Sequence, residues 1–183
     1  LAISMFTGLF VMAGNLANND MLFTILTSIS YLLSAGGTLL LIVPVKRKTN
    51  PELPVFTNRR ISVVTILFTI VATFAIIFLT EPLIQLIPVS DFYKEMLDKM
   101  NQTGLSMLLV TVIFAPVLEE LIMRGIILEG FLRNYSPWFS ILMSSLLFGI
   151  LHLNLVQFVG AFILGLFIGW VYYQTRNITL SIM

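Results

Sequence analysis

The chain has 183 residues, 58% hydrophobic and 10% charged, with a net charge of +1. A soluble domain carries roughly 25% charged residues, so this composition, with a mean hydropathy of +1.00, reads as a polytopic membrane protein. The small net charge leaves no electrostatic basis for nucleic-acid binding, and the lack of cysteine excludes disulfides, thiolate metal sites and cysteine nucleophiles.

Six apolar segments are expected to be helical, at roughly 1–14, 21–45, 61–80, 105–132, 138–153 and 156–173, with a seventh beginning at 178–183. Most approach the ~20 residues that carry a helix across about 30 Å of hydrocarbon. The fifth is short for a span. The first is short and opens on Leu1, so it is expected to begin inside a helix, and with no charged n-region and no small-residue cleavage site it does not read as a signal peptide. The expected fold class is all-α: a polytopic transmembrane bundle of about six spans plus a truncated last one, read as part of a longer membrane protein. Residues 1–103 are expected to supply N-terminal transmembrane helices and an outer interfacial segment, and residues 104–183 a C-terminal helical core.

The connections differ in charge. Segment 46–60, "KRKTNPELPVFTNRR", has five basic residues against Glu52, whereas 81–103 sets Glu81, Asp91, Glu95 and Asp98 against Lys94 and Lys99. Placing 46–60 in the cytoplasm puts seven of the ten Lys and Arg on that side, with Arg124 inside a span, in agreement with the positive-inside rule. "DFYKEMLDKM", residues 91–100, has the spacing of a short amphipathic helix, either lying at the outer interface or solvated in a loop.

The fourth segment contains "PVLEELIMRG", with Glu119, Glu120 and Arg124 in an apolar run. Glu120 and Arg124 are four residues apart with the acid first, the favourable order for a helical ion pair. Glu119 lies about 100° round the helix, so the same arginine does not naturally serve it. A charge at a span centre costs roughly 2.5–3.5 kcal/mol, which makes the remaining carboxylate a functional candidate rather than a packing residue. In the fifth segment, "FGILHL" places Phe148 and His152 on one face, and His152 is the chain's one histidine. Alone it would serve as well for an interhelical hydrogen bond as for chemistry.

Spacing joins the two segments. Glu119 lies 15 residues before Asn134 and His152 lies 15 residues after Pro137. With "NYSP" as the turn of a helical hairpin, both stand roughly 22 Å from it at 1.5 Å per residue, and antiparallel neighbours ~8–10 Å apart can bring them together. A carboxylate that takes a proton from water, beside an imidazole that holds a metal or stabilises an oxyanion, is a hydrolytic pair.

"EELIMRG" fits the pattern EExxxR and "FGILH" fits FxxxH, in order. With the glycine-rich helix that follows, the C-terminal part of the chain resembles the CAAX-processing and bacteriocin-processing (Abi, CPBP) family of membrane proteases. The resemblance implies a glutamate-dependent intramembrane endopeptidase acting on a prenylated protein or an exported peptide. Glu119 would activate the water and His152 would help form the metal or oxyanion site, with a divalent ion such as zinc as the implied cofactor. Glu120, Arg124 and Phe148 would support the site. The family's third motif, HxxxN, is expected just after "NITLSIM", beyond Met183. The implied partners are a peptide or protein substrate and the lipid bilayer, and the expected location is a bacterial cell membrane.

Other features have plainer readings. "GLFIG", Gly165 to Gly169, is a small-residue pattern expected to serve close helix packing. Trp170, Tyr172 and Tyr173 read as an interfacial aromatic belt. Pro116 could kink the fourth helix, and Asn154 and Gln157 could line an entrance or simply end a helix. Two rival functions remain open: a non-catalytic immunity or scaffold protein of the same fold, and a transporter using Glu119 and His152 as a proton relay. The charge pattern puts the "NYSP" turn in the cytoplasm and the site toward the outer face, which suits an exported peptide better than a prenylated cytosolic protein.

Overall fold

The computed structural model describes residues 56–89 and 115–183 continuously, with isolated positions at 25–48, at 91–98 and at 113. The expected segment 1–14, most of 21–45 and most of 91–100 lie outside the described residues; Asp91, Lys94, Leu97 and Asp98 are helical. Two compact units are formed, one by Leu1–Thr49 with Val89–Glu119 and the other by Asn50–Pro88 with Glu120–Met183. In the first unit the described residues are Val89, which is not helical, and helical positions, among them 115–119 of a helix shared with the second unit. Among all described residues no strand occurs, and one isolated antiparallel bridge joins Asn58 to Asn177.

Helix α1 spans Val63–Gln85. Ser62 caps it, its hydroxyl accepting from the Thr65 amide at 3.1 Å. It is apolar all round, and Thr69 is its one buried residue, the character of a helix facing hydrocarbon. Its hydroxyls bond their own backbone, Thr69 to the Thr65 carbonyl and Thr80 to that of Ile76, each at 2.9 Å, which leaves no donor unsatisfied in lipid. The helix continues past the expected end at residue 80. Gln85 Nε2 donates to Glu81 Oε1 at 3.2 Å, so the pair spans the last turn around Pro82.

The expected span 105–132 is described from residue 115 and is not a uniform α-helix. Helix α2, Ala115–Ile122, passes into a π-helix at Met123–Leu128 and returns to one α-turn at Glu129–Phe131. Pro116 lies within α2. Across the hairpin, the Ser144 hydroxyl donates to the Met123 carbonyl at 3.4 Å, where the π-segment begins.

A short turn leads to α3, Pro137–Leu151, with Pro137 at the first position, where a missing amide costs nothing. Helix α4, Leu155–Thr175, follows after three residues; Asn154 caps it by accepting from the Gln157 amide at 2.9 Å. Asn154 and Gln157 also bond each other through their side chains, so they end a helix. Helix α5, Ile178–Ile182, is capped by Asn177, which accepts from the Leu180 amide at 2.7 Å.

By length and composition, α1 and α4 are able to cross a membrane, and α3 is a shorter apolar helix. Helices α1 and α4 run antiparallel: Asn58 pairs with Asn177 at one end, and Gly160 faces Ile84 near the other. The α3–α4 hairpin is the closest packing in the second unit. A Cβ at Gly165 would fall 3.1 Å from Ser145 Cβ, and one at Gly169 would fall 3.3 Å from Ile141 Cγ2. The "GLFIG" pattern is therefore a contact surface between α4 and α3. Leu128, Ile141, Tyr172 and Ile178 form the buried core beside it.

Tyr172 departs from the expected aromatic belt. It is fully buried, and Trp170 and Tyr173 pack against the same core. The exposed aromatic group lies instead at the turn into α3, where Trp138 is 72% exposed and the Tyr135 and Phe139 rings stand 5.2 Å apart. Periodicity misplaced the belt because the phenol of Tyr172 has an internal carboxylate partner, Glu129.

Replacing Gly165 by leucine is expected to force α3 and α4 apart and destabilise the protein by about 1–3 kcal/mol. Gly160→Ala, whose new methyl would meet Ile84 Cδ1 at an ordinary 3.5 Å, is expected to be near neutral. Thermal melting of the detergent-solubilised variants separates the two.

Candidate active site

Arg124 is the most enclosed charge in the second unit, 1% exposed. It lies in the π-helix, and its Nη1 donates to Glu120 Oε1 at 2.6 Å. Its Nη2 donates to the Gly165 carbonyl on α4 at 3.2 Å, an approach that the missing side chain at Gly165 leaves open. The guanidinium also lies 5.1 Å from the centroid of the Phe148 ring on α3, within range for a cation–π contact. One residue thus ties three helical segments. Its Nε has no hydrogen-bond partner among the described residues.

Phe148 passes the arrangement on to His152. The two rings meet edge to face at 5.0 Å, and His152 Nδ1 lies 2.9 Å from the Phe148 carbonyl. A carbonyl oxygen only accepts, so Nδ1 donates there and carries the proton. In the neutral ring Nε2 then keeps its lone pair, suited to accept a proton or to bind a metal. His152 ends α3 with its amide bonded to the Gly149 carbonyl at 3.1 Å, and Leu153 turns the chain at φ 54°. The imidazole is half-buried where α3 meets α4.

Four residues expected from sequence therefore form one linked set, running Glu120, Arg124, Phe148, His152. The hairpin register agrees with their contact, since Arg124 precedes Asn134 by 10 residues and Phe148 follows Pro137 by 11. Glu119, the chain neighbour of Glu120, is half-buried on α2. Among the described residues no group of three or more His, Asp and Glu side chains is placed to hold a metal.

Sequence reasoning missed a second polar cluster. Glu129 Oε2 accepts from Arg176 Nη1 at 2.7 Å and from the Tyr172 hydroxyl at 3.2 Å. The signal was present: Glu129 is a further carboxylate in the apolar run, and Arg176 closes the next long helix.

Comparison with known families bears on this geometry. The family model for type II CAAX prenyl endopeptidase, Rce1-like, matches residues 101–183. The C-terminal part of the chain is thus similar to the Rce1-like family. No curated protein and no solved structure matches the chain. The Rce1-like match includes Glu119, Glu120, Arg124, Phe148 and His152, and the family is one of membrane-embedded proteases.

Arg124→Leu is expected to remove the buried cation that Glu120 pairs with and destabilise the protein by about 3–5 kcal/mol. Arg124→Lys should recover little, because one ammonium cannot make both directed contacts and also stack on Phe148. A double variant, Glu120→Leu with Arg124→Met, should melt closer to wild type than Arg124→Leu; melting curves in detergent check the order.

Proposed function

We propose that the chain is an intramembrane endopeptidase, built as a bundle of about six spans, in which Glu119 activates water and His152 assists at the scissile carbonyl. The observation that carries this reading is the linked set from Glu120 through Arg124 and Phe148 to His152, lying in the protease-family region. An imidazole held by the Phe148 carbonyl has one tautomer and one orientation, which is what a catalytic group requires.

In the proposed reaction, the Glu119 carboxylate takes a proton from water and the hydroxide oxygen attacks the peptide carbonyl carbon. The carbonyl π electrons move onto oxygen. For His152 Nε2 to donate a hydrogen bond to that oxyanion while Nδ1 stays on the Phe148 carbonyl, the ring enters the step as the imidazolium, its second proton taken from solvent beforehand, and leaves it unchanged. Collapse breaks the C–N bond, and the proton held by Glu119 goes to the leaving amine. Glu120 and Arg124 neutralise each other, so Glu119 acts beside a compensated pair rather than beside a bare charge.

A catalytic zinc has three protein ligands, and no such group is gathered among the described residues. These residues do not by themselves fit a metal, and no step is routed through one. Nε2 of His152 is the atom that would contribute a ligand to an ion completed by other groups.

The arginines favour an exported peptide over a prenylated cytosolic protein. Arg59, Arg60, Arg133 and Arg176 lie at one end of the second unit, where the Asn58–Asn177 bridge and the Glu129–Arg176 pair join its segments. His152 lies at the other end of the α3–α4 hairpin, about 30 Å away along α4. Charge places the arginine end in the cytoplasm, and the histidine end then opens to the opposite face.

Glu119→Gln is expected to lower peptide cleavage by about a hundredfold or more while leaving expression and melting unchanged; retained cleavage would remove Glu119 from the role. Sidedness has its own check in this cysteine-free chain. Leu153→Cys should react with an impermeant maleimide on intact cells of an expression host, and Asn134→Cys only after permeabilisation. The reverse pattern would favour a cytosolic substrate.

A further inference from the structure

Glu129 is a half-buried carboxylate that the proposed reaction leaves unused. Its side chain is 16% exposed and that of its partner Arg176 is 26% exposed. The Tyr172 hydroxyl also donates to Glu129, at 3.2 Å. Arg176 itself stands at φ 49°, a left-handed conformation that arginine seldom adopts. Around it the backbone is crowded with partners. The Arg176 carbonyl accepts from the Arg59 amide at 3.0 Å, the Ile178 amide donates to the Thr57 carbonyl at 2.9 Å, and Asn177 Nδ2 donates to the Arg59 carbonyl at 2.5 Å.

Residues 56–59 are thereby strapped to the junction of α4 and α5. At the start of the strap, Phe56 lies over the π-helix: a Cβ added to Gly125 would fall 2.6 Å from Phe56 Cδ1. Gly125 follows Arg124 directly. A continuous series of contacts runs from Glu129 through Arg176 and the strap to the turn that carries Arg124.

We propose that Glu129 is a positioning residue: paired with Arg176, it locks strap 56–59 across the π-helix and so fixes the setting of Arg124, Phe148 and His152. This rests on the reading of those three residues as the site. An isolated surface ion pair would contribute little. Here one carboxylate joins a left-handed arginine, a buried tyrosine and, through them, a segment distant in sequence.

The test uses the full chain in detergent, as wild type, Glu129→Gln, Arg176→Gln and Arg176→Lys. Trypsin cleavage after Arg59 or Arg60 reports release of the strap, and cleavage after Arg133 in the exposed turn is the internal control. NMR signals of His152, the chain's one histidine, report the site without a substrate. Well below melting, Glu129→Gln and Arg176→Gln should be cut at Arg59 or Arg60 about tenfold faster, with cleavage at Arg133 changed less than about twofold. Their imidazole signals should move or broaden. Only one Arg176 nitrogen meets Glu129, so Arg176→Lys should stay near wild type in both readouts. Unchanged cutting at Arg59 and Arg60, equal acceleration at Arg133, an unmoved histidine signal, or a lysine variant that behaves like glutamine would each overturn the proposal. Neither readout depends on activity, so a wild type that cleaves no peptide would sink the protease reading and leave this result to be judged on its own.

Discussion

The buried pairing of Glu120 with Arg124 is the constraint around which the second unit is arranged. Two charges withdrawn from water are costly unless geometry and further hydrogen bonds compensate them. The 2.6 Å contact supplies the first part of that compensation, and the Gly165 carbonyl and the Phe148 ring supply the rest. Each demand fixes something else. Reaching the carbonyl requires a glycine on α4 and close passage of α3 at Ser145. Stacking on Phe148 sets the hairpin register, and Phe148 in turn holds the imidazole by ring and carbonyl. The position of His152 is thus a consequence of how a buried arginine is satisfied.

The same economy governs the uncharged polar groups. Thr69, Thr80, Ser140, Ser145 and Thr175 each donate to a carbonyl three or four residues earlier on their own chain. Such bonds neutralise a hydroxyl in an apolar setting without linking one helix to another. Ser144 is different: it reaches across the hairpin to the Met123 carbonyl, at the point where the α-helix gives way to a π-helix. π-Helical turns change which carbonyl each amide meets and recur at functional sites. Here the turn carries Arg124, so the deviation from regular helix coincides with the charged centre.

What the sequence disclosed follows from the range of each interaction. Helices α1, α3 and α4 were legible because a long apolar run bounded by polar residues is a strong signal in a membrane protein. The Glu120–Arg124 and Phe148–His152 contacts were legible because four-residue spacing is local geometry. The π-helix was not, since an apolar segment without a polar face offers no period from which an added residue could be read. The end of α1 was not legible either, since Glu81 reads as the start of a polar connection, whereas it bonds Gln85 within the last turn. The cluster of Glu129, Tyr172 and Arg176 depends on residues more than 40 apart, and no local rule joins them. Tyr172 was misassigned for the same reason: a phenol in an apolar helix looks interfacial until its distant carboxylate is known.

The two charged clusters divide the second unit between them. At the arginine end, Glu129 and Arg176 share one carboxylate contact with Tyr172, remain partly exposed, and join segments that are far apart in sequence. Deeper in the unit, Glu120 and Arg124 are closed off, and the polarity they need is passed along α3 to an imidazole at its far end. A partly exposed ion pair can be screened by water and ions, so it suits joining surface segments. A buried ion pair cannot lose one partner without leaving the other charge uncompensated, so it suits holding a geometry unchanged. A histidine joined to that inner pair through Phe148, by the ring contact and by the hydrogen bond between Nδ1 and the Phe148 carbonyl, is placed at the end of α3 as part of how the buried Arg124 is accommodated.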